Sequence, residues 1–272
     1  MKKLVYLAAL FGMGLATTAV QADPILWICD NNGDIGRVDV ATGNVLNVYS
    51  AGVTLTDIAF DSAGNLYGIS FTNFYSINTS GPNIGHANLV GSLNPPGPGD
   101  GGNGGMNSLV FSSTGVAYAM SNATNDLYTI NTSTGAATAL SGGVGAYRSS
   151  GDLAFHNGSL YLTTTSNDLI RVNMGPVSAT LVGALGVSNA FGLANGDNNV
   201  LYGVAGTNIY TVNTLTGAAT FLRSYANAQG LGSANGAAFY LEATPVPEPS
   251  SVVMMLAGGL GLAAVARRRR AV

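Results

Sequence analysis

"LYTINTSTGAATAL", residues 127–140, returns as "IYTVNTLTGAATFL" at 209–222 and as "IGRVDVATGNVLNV" at 35–48. In each copy apolar residues alternate on both sides of a polar turn that carries Thr-Gly, the pattern of a β-hairpin with one buried face. Two looser copies, "FYSINTSGPNIGHANLV" (74–90) and "LIRVNMGPVSATLV" (169–182), keep strand, turn and strand with Gly-Pro at the turn. A hairpin written five times makes the chain a repeat protein, so the period sets the architecture.

A second hairpin precedes most of these. It reads "LTDIAFDSAGNLYGIS" from Leu55, "MNSLVFSSTGVAYAMS" from Met106, "SGDLAFHNGSLYLTTT" from Ser150, "AFGLANGDNNVLYGVA" from Ala190 and "QGLGSANGAAFYLEA" from Gln229. Each is a short apolar strand, a turn rich in Asn, Asp, Ser and Gly, and a strand marked by an apolar-Tyr or Ala-Tyr pair. Aligned on Ile58, Leu109, Leu153, Leu193 and Leu231, the spacings are 51, 44, 40 and 38 residues. Four strands in about 40 residues is the size of a propeller blade.

The predicted fold is therefore all-β: a β-propeller of about five four-stranded blades, with six, one incomplete, as the alternative. The C-terminal inner strand is expected to complete a blade begun at the N-terminus, which removes raw sheet edges. Either Ile25–Cys29 or Ala238–Glu242 is then left as a surplus strand. The longest interruption, "NPPGPGDGGNGG" at 94–105, reads as a loop between blades. It contains the letters G-x-G-x-x-G at Gly97–Gly102, but a strand follows where a dinucleotide site needs a helix N-terminus.

The "FDSAGNLY" turn is similar to those of NHL and gluconolactonase-like propellers. The Tyr-Thr-Ile-Asn hairpin is similar to quinoprotein-like and surface-layer repeats. These resemblances imply the fold and leave the function open.

The two ends carry addresses. Lys2 and Lys3 precede an apolar stretch from Leu4 to Leu15, and Val20-Gln21-Ala22 offers small residues for cleavage between Ala22 and Asp23, so residues 1–22 read as a secretory signal peptide. The working domain is expected at 23–244. At 245–272, Val246-Pro247-Glu248-Pro249 is followed by seventeen uncharged residues, Ser250–Ala266, about 25 Å as a helix. Arg267, Arg268, Arg269 and Arg270 then hold the C-terminus inside by the positive-inside rule. On hydropathy alone this is also a permanent single-span anchor. The order of Pro-Glu-Pro, short span and arginine cluster resembles the PEP-CTERM sorting signal. That resemblance implies a transient membrane anchor cut by an exosortase near Pro247–Pro249, with release toward the cell surface or exopolysaccharide matrix of a Gram-negative-type bacterium.

Between Asp23 and Pro249 there are eleven Asp, two Glu, four Arg and no Lys, a balance of −9. Nothing in such a body neutralises a row of phosphates, which argues against a nucleic-acid partner. Cys29 is the only cysteine and reads as a buried strand residue. Asp30, Asn32 and Asp34 have the spacing of a calcium loop, but Ile35 stands at the turn-glycine position and no closing Glu follows, so a polar turn is expected. His86 and His156 lie in different repeats and are expected to be solvated, and no zinc or serine-nucleophile motif is present.

The one enzymatic constellation is Asp57 with Asp152, equivalent in their repeats and expected to face a central channel, with Ser108, Gly192 and Gly230 at the other equivalent positions. In a gluconolactonase-like site such carboxylates hold a divalent metal. A hydrogen-bonding role within the blades is the simpler reading of so small a ligand set. The expected protein is an exported, non-enzymatic binding or structural propeller without a cofactor, partnered by exosortase and by extracellular polysaccharide. A metal-dependent lactonase or hydrolase is the alternative.

Overall fold

The computed structural model describes residues 25–94, 105–196, 198–225, 229–240 and 242–243. The signal peptide, the sorting tail and the Gly97–Gly102 loop lie outside them. Within them the chain forms twenty strands in five antiparallel sheets of four, which settles the blade number at five.

Blade 2 consists of β4 (Asp57–Phe60), β5 (Leu66–Ile69), β6 (Asn73–Ile77) and β7 (Ala87–Ser92). Blade 3 has β8 (Met106–Phe111), β9 (Ala117–Ser121), β10 (Leu127–Ile130) and β11 (Ala137–Ala139). Blade 4 has β12 (Ser149–His156), β13 (Ser159–Thr164), β14 (Asp168–Met174) and β15 (Val177–Ala184), and blade 5 has β16 (Ala190–Asn195), β17 (Leu201–Ala205), β18 (Asn208–Val212) and β19 (Ala219–Ser224). Blade 1 is shared: β1 (Ile25–Asp30), β2 (Asp34–Asp39) and β3 (Val45–Ser50) come from the N-terminal end, and the innermost strand is β20 (Ala234–Phe239). β20 pairs antiparallel with β1, Leu26 opposite Phe239 and Cys29 opposite Gly236. The inner strands β4, β8, β12, β16 and β20 pack against one another around the axis.

This closure corrects two details of the sequence reading. The inner strand aligns on Ala237 rather than Leu231, because Phe239 occupies the place of Phe60, Phe111 and Phe155 at the end of an inner strand. Leu231 is instead a buried loop residue packed over Gly36. Both Ile25–Cys29 and Ala238–Phe239 are consumed in blade 1, so no strand is surplus.

The repeated letters have physical causes. In the turn after β10, Asn131 Oδ1 accepts the backbone N–H groups of Ser133 (2.9 Å) and Thr134 (3.2 Å). In the turn after β18, Asn213 Oδ1 accepts those of Leu215 (2.8 Å) and Thr216 (3.2 Å). Gly135 and Gly217 follow with φ of 78° and 81°, a left-handed conformation that glycine adopts freely. A Cβ on Gly217 would stand 2.5 Å from the carbonyl oxygen of Gly183 in β15, so the turn also leans on the preceding blade.

Each hydrophobic cluster lies between two blades. A ring on the second strand of one blade meets the phenylalanine ending the inner strand of the next: Trp27 with Phe60 (5.6 Å between centroids), Tyr67 with Phe111 (5.1 Å), Tyr118 with Phe155 (6.0 Å) and Tyr202 with Phe239 (5.2 Å). Such pairs contribute about 0.5–1.5 kcal/mol beyond their buried area. The seam between blades 4 and 5 departs from the rule, since Asn195 replaces the phenylalanine.

Candidate functional site

Halfway along the axis, Asp57 of β4 and Asp152 of β12 are wholly buried and hydrogen-bonded to each other. Asp57 accepts the N–H of Ile58 (2.7 Å) on one oxygen and that of Leu109 in the next blade (2.6 Å) on the other. Asp152 accepts Leu153 N–H (2.7 Å) on one oxygen, and Leu193 N–H (2.6 Å) and Ala237 N–H (3.3 Å) on the other. The two carboxyls thus staple all five inner strands, β4 to β8 through Asp57 and β12 to β16 and β20 through Asp152. Burial, and for Asp57 also the charge of Asp152, hold both well above the usual carboxylate range. The hydrogen bond between them requires one proton, so they titrate as a unit.

Gly236, Ser108 and Gly192 complete the level of the two aspartates. A Cβ at Gly236 would lie 2.6 Å from Asp57 Cα, so the ring closes only without a side chain there. Below them Glu242 turns its carboxyl inward, accepting Phe239 N–H at 3.2 Å. Burial and then the Asp152 charge push it upward as well. Cys29 is buried beside Gly236, its thiol raised by burial and by Asp57, Asp152 and Asp30 in that order.

This set does not fit a divalent cation. Calcium takes six to eight oxygens and magnesium an octahedron, whereas all four aspartate oxygens here already accept backbone N–H groups. Among the described residues no group of three or more His, Cys, Asp or Glu is placed to hold a metal. In the calcium-like loop the Asp30 oxygens are likewise spent. Asp30 accepts the N–H groups of Asn32 (2.9 Å), Asp34 (2.8 Å) and Gly232 (2.6 Å), fastening the β1–β2 turn to the C-terminal loop.

Of the two histidines, His86 is exposed as expected, but His156 is buried. Its Nδ1 meets Asn195 Oδ1 at 2.7 Å and its Nε2 meets the Asn157 amide nitrogen at 3.0 Å. Asn195 has no phenyl ring to offer this seam, and the imidazole takes the polar contact instead. The arrangement places the proton on Nδ1.

Above the carboxyls the channel widens into a cavity of about 640 Å³. Its wall is set by irregularities in the inner strands. The register of β8 on β9 skips Asn107, that of β16 on β17 skips Phe191, and that of β20 on β1 skips Asn235. In β12 the pairing with β13 breaks across Ser150–Asp152. An extra residue in one strand bends it and re-aims a side chain, and such bulges gather near sites. Here the same position, one before the aspartate level, is bulged in three blades, and each extra residue lines the cavity.

The polar groups of this mouth are uncharged and partly uncommitted. Asn107 donates its amide N–H to Ser149 O (3.2 Å), while its Oδ1, like Ser149 Oγ, is buried without a hydrogen-bond partner. Asn235 spends its amide N–H groups on Asp30 O (3.2 Å) and Leu55 O (2.9 Å), and Asn122 spends its Oδ1 on Gly105 N–H (3.0 Å). Acceptors therefore remain at Asn107 and Asn235, and a donor at Asn122. Phe71, in the loop between β5 and β6, is 47% exposed at the rim.

None of these mouth residues stands out in the sequence. The only signal is the position before the aspartate level, held by Thr56, Asn107, Gly151, Phe191 and Asn235: it varies in type from blade to blade while Ile58, Leu109, Leu153, Leu193 and Ala237, two residues on, stay apolar.

Fold and site together define a five-bladed β-propeller with an uncharged polar cavity at one end of its channel and a carboxyl pair plugging the middle. Residues 245–270 match the PEP-CTERM protein-sorting motif, which bears out the resemblance of the tail to that signal and implies an exported, membrane-transiting protein processed by an exosortase. Among solved structures, the chain is similar to a gluconolactonase from Xanthomonas campestris at 14% identity and a TM-score of 0.50, over 79% of this chain and 80% of that one. A protein of unknown function from Bacteroides thetaiotaomicron is similar at 13% identity and a TM-score of 0.47, over 79% and 62%. The calcium-binding protein regucalcin from Agrobacterium tumefaciens follows at 15% and 0.45, over 72% and 68%. At such an identity the likeness to the gluconolactonase shows the fold alone. No curated protein matches the chain.

Proposed function

We propose that the processed propeller reaches the cell surface or the extracellular polysaccharide matrix and works there as a non-catalytic binding protein, with the mouth cavity as its ligand site. The observation that carries this reading is the set of bulged inner-strand residues, Asn107, Phe191 and Asn235, turned into a cavity whose buried Asn107 Oδ1 has no partner. A buried polar atom left unpaired costs about 1–3 kcal/mol, a cost that a ligand reaching the cavity offsets. The neighbouring carboxyls support binding over catalysis because their oxygens are occupied by backbone N–H groups rather than presented to a substrate.

Intact-mass analysis of the protein from its native host, with and without a functional exosortase, tests the delivery. An exosortase-dependent C-terminus near Pro249 is the expected result, and a chain still ending at Val272 makes the protein a membrane-anchored periplasmic propeller. Affinity electrophoresis through host polysaccharide tests the binding, and absence of retardation removes the matrix role. A melting temperature raised by calcium and lowered by a chelator would favour the metal-dependent hydrolase instead.

A further inference from the structure

We infer that the ligand of the mouth cavity is an uncharged oligosaccharide of at least two sugar units, one seated in the cavity and the next in the adjoining groove. This rests on the binding role proposed above and specifies its chemistry.

The first argument is the balance of donors and acceptors. A phosphate or carboxylate ligand needs a site made of donors, and a cation needs one made of acceptors. The mouth presents open acceptors at Asn107 Oδ1 and Asn235 Oδ1, an open donor at the Asn122 amide and, at Ser149, a hydroxyl that serves as either. Among the described residues no Lys, Arg, His, Asp or Glu lines the cavity. A row of sugar hydroxyls, each donor and acceptor at once, is the chemistry that satisfies all four groups. Asn107 is 6% exposed and Ser149 0%, so their open atoms sit beneath the cavity wall and meet a ligand hydroxyl only as the side chains turn toward it.

The second argument is the placement of aromatic rings. Phe71 at the rim and Phe191 in the wall supply flat apolar faces of the kind on which the C–H face of a pyranose rests. Both are backed by glycine in a neighbouring blade. A Cβ at Gly105 would stand 2.5 Å from Phe71 Cβ, and one at Gly151 would stand 2.6 Å from Phe191 Cα. These rings therefore stand where they do because the neighbouring strand carries no side chain.

The third argument concerns length. A second hollow of about 430 Å³ lies over blades 5 and 1, and it shares Asn189 and Phe191 with the cavity. Phe191 thus forms a wall common to both spaces, and beyond it Tyr210 and Asn208 continue the alternation of ring and amide. Small-ligand sites occupy about 300–1,000 Å³, so the first space suits one end of a chain and the groove suits its continuation.

A glycan array probed with the exported protein, carrying uncharged gluco-, manno-, galacto- and N-acetylglucosamine oligosaccharides beside uronic-acid oligosaccharides, tests this directly. The expected result is retention on one or more uncharged series, with the disaccharide or longer chain bound about tenfold or more tighter than its monosaccharide by calorimetry. Phe71→Ala, in an exposed loop, and Asn107→Ala should each weaken that binding about tenfold with melting temperature unchanged, whereas Leu89→Ser, exposed on the outer strand β7 and outside both spaces, should leave it as it was. Retention only of uronic-acid chains, no retention at all, or undiminished binding by both mouth variants overturns the inference. If host polysaccharide still retards the protein in any of those cases, the matrix role stands and only this site and ligand class fall.

Discussion

The two ends of the inner strands obey opposite rules. At the foot, four of the five strands carry phenylalanine as their last or next-to-last residue, and each ring meets an aromatic residue of the preceding blade. At the mouth, the equivalent positions are threonine, asparagine, glycine, phenylalanine and asparagine, and three of them are bulged out of register. Repetition at the foot is what a closed ring of equal seams requires. Variation at the mouth is what a site for one asymmetric ligand requires, since five identical groups around an axis recognise only a symmetric one. Between the ends sits the carboxyl pair, which is asymmetric like the mouth yet bonded like the foot.

Breaking that middle level should give the largest effect. Asp152→Ala deprives three backbone N–H groups of their acceptor and leaves Asp57 buried without its partner, so a stability loss of about 3–5 kcal/mol is expected in urea unfolding. Against a total of about 5–15 kcal/mol for a domain, this brings the ring close to opening. Asp57→Ala frees only two N–H groups and should cost less. Equal and negligible losses for both would place the pair with the mouth, as groups kept for a ligand.

The same pair makes stability depend on pH, with a defined sign. Folding raises both carboxyls, and Glu242 beneath them, above the values they have in the unfolded chain. The stabilisation from their protonated forms is therefore complete below the ordinary carboxylate range and is lost as pH rises through the folded-state values. Denaturant midpoints should fall as pH is raised from mildly acidic to mildly alkaline. Asp57→Asn, which keeps a neutral donor toward Asp152 but cannot accept both Ile58 and Leu109 N–H groups, should cost about 1–3 kcal/mol at acidic pH and flatten the slope. An unchanged slope would assign it to other groups.

The foot was far more legible in sequence than the mouth. Phenylalanine recurs at a fixed place after an apolar strand, and the Asn-to-Gly turns recur with it, because each is dictated by contacts that every blade repeats. The closing blade was misaligned at Leu231 because Phe239-Tyr240 imitates the apolar-Tyr pair of a second strand, whose real counterpart here is β1 at the far end of the chain. His156 reads as solvated in the sequence because its partner Asn195 lies in another repeat. The mouth residues were hidden for a related reason. A bulge adds one residue whose direction is set by pairing with a neighbouring strand, and no local pattern of apolar and polar letters records it.

The odd seam sharpens the comparison at a smaller scale. Between blades 4 and 5, His156 and Asn195 replace the ring pair, and removing either member leaves the other's polar atom buried. Asn195→Ala and His156→Ala should each cost about 1–3 kcal/mol, with the double variant costing less than their sum. Additive losses would mean the two side chains stabilise the seam separately.

The smallest expected effect lies at two adjacent residues of β8. Ser108 belongs to the bonded level: its Oγ accepts Met120 N–H at 3.0 Å, and Ser108→Ala orphans that group in the core at about 1–3 kcal/mol. Asn107, one residue earlier, belongs to the mouth. Asn107→Ala loses one hydrogen bond to Ser149 O but also removes the unpaired Oδ1, and these opposing terms should leave stability within about 0.5 kcal/mol of the parent. A residue with that much burial and that little structural value is held for something other than the fold. If Asn107→Ala instead destabilises as much as Ser108→Ala, Asn107 is a strut of the ring, and the division between a repeated foot and a ligand-specific mouth fails at the residue on which it most depends.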